Sequence, residues 1–179
     1  MKLDRLRNTL YEMMKEQQIK LGYVYETVRL YFPRTTLCNL LGISSINSDD
    51  ELKKAIHLFK EEVKDELGEV TVSRKEDRFC ISVSAKGSRY IHEHVMEDSF
   101  LVDLIELFQQ HNITIEDVKT VFDKTNMEYI CEEQNGVEFD YLIHFMDNKA
   151  DPYYYCVKFD DGHASYHRFH EFDIKSILE

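Results

Sequence analysis

The chain has 179 residues, 43% of them hydrophobic, and a formal net charge of −12. That size suits one domain with a substantial core, and two prolines with six glycines leave no long flexible linker. An acidic chain without a basic stripe is not expected to bind nucleic acid, and no run of apolar residues is long enough to span a membrane.

The N-terminal residues predict a cytoplasmic protein that begins with a group of helices. Met1 to Leu6 carries charges where a secretory signal peptide requires apolar residues. From Leu3 to Met14, apolar residues recur at three- and four-residue steps, which predicts an amphipathic helix. A second helix is predicted over Tyr23 to Phe32, ending at Pro33, and a short third one around Leu37 to Leu41.

Residues 48–68 carry the clearest helix signals. Ser48-Asp-Asp-Glu51 fits a capping box, and Gly68 supplies a stop. The buried stripe of this helix is predicted to be Leu52, Ala55, Ile56, Phe59, Val63 and Leu67. We therefore expect residues 1–68 to form the helical part of a single domain that covers residues 1–179, with residues 69–179 supplying a hairpin, helices and a meander.

Beyond the helical part, the apolar period changes to two. Val70 to Ser84 alternates apolar and polar residues on either side of a polar link at Arg74 to Arg78, which predicts a hairpin. The stretch Gly87 to Asp98 is compatible with either a strand or a helix. Further helices are predicted from a cap at Ser99 and from the Thr114-x-x-Asp117 pattern.

Residues 126–179 predict an antiparallel meander of four strands and a final helix near Phe172 to Leu178. The first turn is either two residues long, at Asn135-Gly136, or three, at Gln134 to Gly136. The longer turn, with Gly136 as a bulge, collects the apolar side chains on one face, and we therefore choose it. Its predicted pairs are Cys131 with Phe139, Tyr129 with Tyr141, and Met127 with Ile143.

The remaining strand pairs follow from two further connections. A two-residue turn at Asp161-Gly162 again collects the core residues on one face. The loop at Asp147 to Asp151 fixes the pairing of the middle strands and places Asp140 opposite Lys158, as an expected cross-strand ion pair. The predicted pairs are Phe159 with Ala164, Val157 with Tyr166, and Phe145 with Tyr153.

Negative charge is concentrated in this meander. Residues 126–179 hold 12 acidic and 4 basic residues, whereas residues 1–68 hold 11 of each. A segregated charge of this kind attracts a basic protein partner or a cation. The candidate binding face is the one that carries Glu132, Glu138, Asp140, His144 and Tyr154.

The same face carries residue types that bind metal ions. Asp160 is predicted opposite His163, and Cys156 opposite His167, so four side chains of metal-ligand type are expected near one another. Zinc or another divalent cation is the candidate ion, and no other cofactor is expected. Eight histidines in one chain also meet by chance, however, and the paired spacings of structural zinc sites are absent.

Eight short stretches of the chain form a recognisable set. They are Leu21 to Tyr23, Val28 to Pro33, Leu37 to Gly42, Arg78 to Cys80, Tyr90 to His94, Phe139 to Ile143, Tyr153 to Cys156, and Tyr166 to Phe169. Together they resemble an uncharacterised bacterial family, domain of unknown function 3877. The resemblance covers nearly the whole chain. It implies a small cytosolic bacterial protein but no activity and no catalytic residue.

The residues thus predict an α+β protein in which N-terminal helices pack on an antiparallel sheet, made of the early hairpin and the C-terminal four-strand meander. No nucleotide-binding or catalytic motif is found, so the expected function is a non-enzymatic protein-binding or regulatory module with an acidic sheet face. The alternative is a metal-dependent or small-molecule enzyme that uses Cys156, Asp160, His163 and His167.

Overall fold

Helices and antiparallel strands succeed one another along the chain, so the fold is α+β as predicted. The early hairpin and the C-terminal meander, however, belong to two separate antiparallel sheets and not to the single sheet that was expected. The computed structural model describes residues 3–44, 49–76, 78–135 and 138–178. The chain divides into two compact units, Met1–Glu97 and Asp98–Glu179. That residues 1–179 act as one domain stays a prediction. Within the described ranges, no helix has both the length and the apolar character needed to cross a membrane.

The first unit combines a three-stranded sheet with five helices within its described residues. In chain order they are α1 (Leu3–Leu21), β1 (Val28–Pro33), α2 (Arg34–Leu41), α3 (Asp49–Glu62), α4 (Lys64–Leu67), β2 (Val70–Lys75), β3 (Arg78–Val83) and α5 (Ala85–His94). The central strand β3 is antiparallel to β1 on one side and to β2 on the other. The predicted hairpin is therefore confirmed as β2 and β3, and much of the undecided stretch from Gly87 is helical.

The helix predicted over Tyr23 to Phe32 is wrong, because the second half of this segment is the strand β1. Its residues alternate between buried and exposed, and Val28, Leu30 and Phe32 are the buried ones. Val28 lies opposite Val83 of β3, so the apolar residues of the two strands meet on one face of the sheet. Pairing with β3 provides hydrogen-bond partners for the backbone of β1 and at the same time buries its apolar face. A helix would not place these alternate apolar residues on one face.

The helix predicted to run up to Gly68 is interrupted at Val63, which separates α3 from α4. Five residues of its predicted stripe are buried, namely Leu52, Ala55, Phe59, Val63 and Leu67. Gly68 ends α4 with a φ of 66°, a conformation that glycine adopts without strain. The capping box predicted at Ser48 lies outside the described residues.

The first turn of α5 packs very close to the backbone at the end of α4. Ser84 caps the helix, because its hydroxyl accepts a hydrogen bond from the backbone N–H of Gly87 at 3.4 Å. A Cβ atom on Gly87 would lie 2.5 Å from the carbonyl oxygen of Leu67 and 2.5 Å from Cγ1 of Val83. Glycine is therefore what allows this close approach between α5, α4 and β3.

The second unit combines a four-stranded meander with three helices within its described residues. In chain order they are α6 (Ser99–Phe108), α7 (Ile115–Asp123), β4 (Tyr129–Glu133), β5 (Tyr141–Phe145), β6 (Tyr153–Asp160), β7 (His163–His170) and α8 (Glu171–Leu178). The strands lie in the order β4-β5-β6-β7, each antiparallel to its neighbours. Asp98, not the predicted Ser99, caps α6. The helix predicted to open at Thr114-x-x-Asp117 is confirmed as α7, and these two residues form a capping box at its start.

The last three strands have the predicted register. Val157 lies opposite Tyr166 across β6 and β7, and Tyr141 lies opposite Val157 across β5 and β6. In the two-residue turn after β6, φ is 45° at Asp161 and 80° at Gly162. Both residues lie in the left-handed region, as the tight hairpin turns that match strand twist require.

The predicted register between β4 and β5 is wrong by four residues. Cys131 lies opposite Ile143 and not opposite Phe139. Phe139 precedes β5 and is buried on the other side of the sheet, in an apolar cluster with Ile174 of α8. Burying this ring under α8 lengthens the connection between the two strands, although the apolar residues of β4 and β5 keep the predicted face. The bulge predicted at Gly136 lies outside the described residues.

The expected ion pair between Asp140 and Lys158 is also wrong. The carboxylate of Asp140 accepts a hydrogen bond from the backbone N–H of Phe159 at 2.7 Å. The backbone N–H of Asp140 donates to the carbonyl oxygen of Val157 at 2.9 Å. Asp140 therefore continues the ladder between β5 and β6 beyond its last regular pair, and its charge is held by backbone rather than by a lysine.

Phe122 of α7 lies at the centre of the core of the second unit, and its side chain is fully buried. The centroid of its ring lies 4.9 Å from that of Phe100, 5.0 Å from Phe145, 5.2 Å from Tyr129 and 5.3 Å from Tyr155. These four rings come from α6, β5, β4 and β6. One side chain of α7 therefore contacts another helix and three of the four strands.

Candidate functional site

The formal charge of the chain divides at the boundary between the two units. Residues 1–97 hold 16 acidic and 16 basic residues, so their net charge is zero. Residues 98–179 hold 18 acidic and 6 basic residues, so they carry the whole net charge of −12. The predicted segregation of charge is thus sharper in the structure, and it points to the second unit as the part that would attract a cationic partner.

The predicted binding residues separate into three groups. Glu132 and Glu138 are exposed. His144 and Tyr154 are half-buried and lie opposite each other on β5 and β6, where their rings stack with centroids 4.4 Å apart and planes at 27°. Asp140 faces the backbone described above. The structure therefore brings together the two aromatic residues of the candidate face and leaves two glutamates open to solvent.

The helix α8 covers part of the face that was predicted to be ionic. Leu142 and Cys156 are buried there with Phe139 and Ile174, and Tyr154 packs against this cluster. Burial, and next the negative charge of a nearby glutamate, raises the pKa of the Tyr154 hydroxyl, which therefore stays protonated at neutral pH. The exposed part of the face consequently lies on its β4 side, at its turns and along β7, where His163, Ser165 and His167 are exposed.

Four glutamates on and beside β4 form what we call the acidic edge: Glu128, Glu132, Glu133 and Glu138. All four are exposed, and none of them makes an ion pair with another described residue. Of these four, the sequence pattern predicts only Glu132 and Glu138, because alternation singles out one face of the strand. Glu128 and Glu133 become part of the set only because β4 lies at the edge of its sheet.

The hydrogen bonds of β4 show which of its backbone groups are open. Met146 donates its N–H to the carbonyl oxygen of Glu128 at 2.9 Å, and Gln134 donates its N–H to the carbonyl oxygen of Asp140 at 2.8 Å. Even-numbered residues of this segment thus bond to the β5 side. In an antiparallel ladder the odd-numbered residues, from Tyr129 to Glu133, must point their N–H and C=O groups outward. Since β4 is the edge strand and no described residue hydrogen-bonds to this row, a further strand could pair with it.

The four predicted metal ligands occupy the predicted register. Asp160 lies opposite His163, and Cys156 lies opposite His167. Cys156 is only 3% exposed, and the ring of His163 packs against that of His111 with centroids 4.6 Å apart. Within the described part of the chain, no three His, Cys, Asp or Glu side chains are grouped so that they could hold a metal ion. A metal site at these four residues stays a prediction, and the burial of Cys156 does not favour it.

The burial of Cys156 predicts a thiol that is unreactive in the native protein. Burial raises the pKa of this thiol to about 12, so its thiolate fraction at neutral pH is on the order of a thousandfold below that of a free cysteine. Thiol titration with a coloured disulfide reagent should show one faster thiol, which the Cys131→Ser change removes because Cys131 is the least buried of the four. The Cys156→Ser change should leave that rate unaltered. A fast thiol lost only in Cys156→Ser would instead support a catalytic or metal-binding cysteine.

Comparisons with known proteins place the chain in one family. Searches of curated proteins and of solved structures each gave no match. The pattern of one family, described as "Domain of unknown function, E. rectale Gene description (DUF3877)", matches residues 3–178. That range spans both units and all fifteen elements of the described chain. The chain therefore belongs to this family of unknown function, which takes its description from a bacterium.

Proposed function

We propose that this protein is a non-enzymatic binding module that engages a basic, extended segment of another protein along the acidic edge. The observation that carries the proposal is the set of four exposed glutamates, which have no cationic partner among the described residues and lie on and beside an edge strand. A basic segment in extended conformation would neutralise the glutamates and form hydrogen bonds with the open backbone groups of β4.

Addition of a strand would use both properties of β4. The backbone of the added segment would exchange hydrogen bonds with the outward-facing groups of the odd-numbered residues of β4. Side chains of a strand alternate between the two faces of its sheet. Lysine or arginine at alternate positions would therefore approach Glu132 on one face, and those at the intervening positions would approach Glu133 on the other.

Apolar groups beside the acidic edge would add contact area. Ile130 is 37% exposed and Met146 is 59% exposed. Ile130 lies opposite His144, which in turn lies opposite Tyr154, so the three side chains form one row across the sheet. Aromatic residues and methionine are enriched at protein interfaces. This row favours a partner whose basic residues are interspersed with apolar ones.

A charge reversal on the edge should weaken binding more than the same reversal elsewhere in the second unit. The probe is a labelled, capped peptide of alternating lysine and valine, as long as β4, followed by fluorescence anisotropy. Glu133→Lys is expected to weaken its binding roughly tenfold, because an attraction is replaced by a repulsion. Glu106→Lys is the matched control, since Glu106 is also exposed, makes no ion pair with a described residue and lies on α6. Equal losses for the two variants would contradict a specific edge.

Two further measurements separate strand addition from simple attraction of charge. Raising the ionic strength should weaken binding, since the contacts are exposed and are screened over about 10 Å at moderate salt. Methylating alternate backbone nitrogens of the same peptide should abolish binding when the methyl groups lie on the β4 side and leave it nearly intact when they lie on the opposite side. Binding that tolerates both methylation patterns would rule out strand addition.

A further inference from the structure

A cavity of about 360 Å³ lies in the first unit, between α3 and the hairpin of β2 and β3. Its apolar wall is made of Leu52 and Ile56 from α3, Val72 from β2 and Phe79 from β3. Leu52 and Ile56 are one helical turn apart, so they form a continuous strip along α3. This volume is within the range of small-molecule sites, which are mostly apolar with a few polar groups at their border.

The charged groups that border this cavity are mainly basic. Lys53, Lys60 and Arg74 contribute to its lining, and among the described residues that line it the one carboxylate is that of Asp49. Asp49 is already engaged, because its carboxylate accepts a hydrogen bond from Arg34 at 2.6 Å, which lowers its pKa. The cavity therefore has an excess of positive charge, although its unit is neutral and the whole chain is acidic.

Arg74 is arranged so that part of its guanidinium group remains available. Its Nε donates a hydrogen bond to the backbone carbonyl of Glu76 at 3.2 Å, and the guanidinium carbon lies 5.9 Å from the ring centroid of Phe79. Both contacts fix the side chain at the border of the cavity. Its two terminal nitrogens make no hydrogen bond with another described residue, and a guanidinium group can bind the paired oxygens of a carboxylate or phosphate with two such nitrogens.

Lys60 supplies a second cation at the same border. It is half-buried and makes no ion pair with another described residue. It follows Leu52 and Ile56 at four-residue steps, so it lies on the same strip of α3 as the apolar wall. Lys53, by contrast, has a carboxylate 3.6 Å away, that of Asp50. Lys60 and Arg74 are therefore the cations best able to meet an anion whose apolar part occupies the cavity.

We propose that this cavity binds a small amphipathic anion, an organic carboxylate or phosphate whose apolar part packs against Ile56 and Phe79. One water molecule occupies about 30 Å³ in the liquid, so the volume accommodates a ligand of roughly a dozen heavy atoms. The anionic group would be held by Arg74 and Lys60. This site lies in the first unit and does not depend on the acidic edge of the second.

The test is a calorimetric titration of the full chain with decanoate and with octyl phosphate, both below their micelle concentrations. The comparison ligand is decyltrimethylammonium, which has a similar apolar part and the opposite charge. We expect both anions to bind and the cation not to bind; stronger binding of octyl phosphate than of decanoate would identify phosphate as the preferred group. Equal binding of the cation, or binding of neither anion, would overturn the proposal.

Three variants locate the site. Arg74→Gln and Lys60→Gln should each weaken anion binding roughly tenfold, since charge-assisted hydrogen bonds are the stronger ones. Lys54→Gln is the matched control, because Lys54 is an exposed lysine of the same helix that does not line the cavity. The methyl NMR signals of Ile56 and Val72 should shift on addition of decanoate, which confirms the position independently of any variant. A loss in Lys54→Gln as large as in Lys60→Gln would show nonspecific attraction and overturn the proposal.

Discussion

The Phe122→Ala change is expected to lower the free energy of unfolding by about 4 kcal/mol, since removing a large buried ring costs about 3–5 kcal/mol. Phe122 has no solvent exposure and contacts four aromatic rings at centroid distances from 4.9 to 5.3 Å. Such aromatic pairs contribute about 0.5–1.5 kcal/mol beyond the area they bury. Domains of this size are stable by only about 5–15 kcal/mol, so the change would remove a large share of the stability.

Urea unfolding followed by circular dichroism measures this effect. Phe122→Leu keeps most of the volume but loses the ring, and it should cost about 1–2 kcal/mol. Phe172→Ala removes the same ring from a half-buried position on α8 and serves as the second control. If Phe172→Ala destabilised the chain as much as Phe122→Ala, the aromatic core would not have the central role that its geometry indicates.

The Gly87→Ala change is expected to destabilise the protein by about 3 kcal/mol, at the upper end of what overpacking a well-packed site costs. Helix propensity alone predicts the opposite sign, because alanine within a helix is favoured over glycine by about 1 kcal/mol. Here the added methyl group would lie 2.5 Å from the carbonyl oxygen of Leu67, which belongs to the backbone and cannot rotate away. The start of α5 would have to move, and the cap from Ser84 would weaken with it.

Thermal unfolding of the Gly87→Ala and Lys86→Ala variants shows whether alanine at position 87 lowers or raises the stability of the protein. Lys86 is the neighbouring exposed residue of the same turn, and surface changes of this kind usually stay within about 0.5 kcal/mol of the parent protein. A Gly87→Ala protein as stable as the parent, or more stable, would mean that α5 does not approach α4 as closely as described.

Local chemistry made the last hairpin predictable. The pair Asp161-Gly162 can adopt positive φ at both positions, and this fixes a two-residue turn and with it the register of β6 and β7. Alternation of apolar residues then determines which face is buried, as Val157 and Tyr166 confirm. Where a turn type and a hydrophobic pattern agree, neighbouring strands can be aligned from the residues alone.

Two errors arose where distant contacts decide the structure. The segment of β1 is predicted as a helix that ends at a proline, although Val28, Leu30 and Phe32 follow the period of two that is typical of a strand. The strand that pairs with it, β3, lies about fifty residues further along the chain. Phe139 is predicted to pair with Cys131 across two strands, but in the structure its ring is buried in a cluster that includes Ile174 of α8. Neither partner can be identified from the local pattern.

The candidate sites show the same division. Alternation predicts a binding face that carries Glu132, Glu138, Asp140, His144 and Tyr154, and the structure places the two aromatic residues in contact. The open edge of β4 depends on the order of strands, and the basic cavity depends on where α3 meets β2. Both are tertiary properties, since the lysines of α3 are interleaved with glutamates along the helix and only one face of it borders the cavity.

The separation of charge between the units has a consequence for colloidal behaviour. With equal numbers of acids and bases, the first unit is close to its isoelectric condition at neutral pH, and copies of it would experience no mean electrostatic repulsion. The net charge of −12 on the second unit is therefore the source of electrostatic repulsion between whole molecules. A fragment that ends at Glu97 should precipitate at concentrations at which the full chain stays in solution.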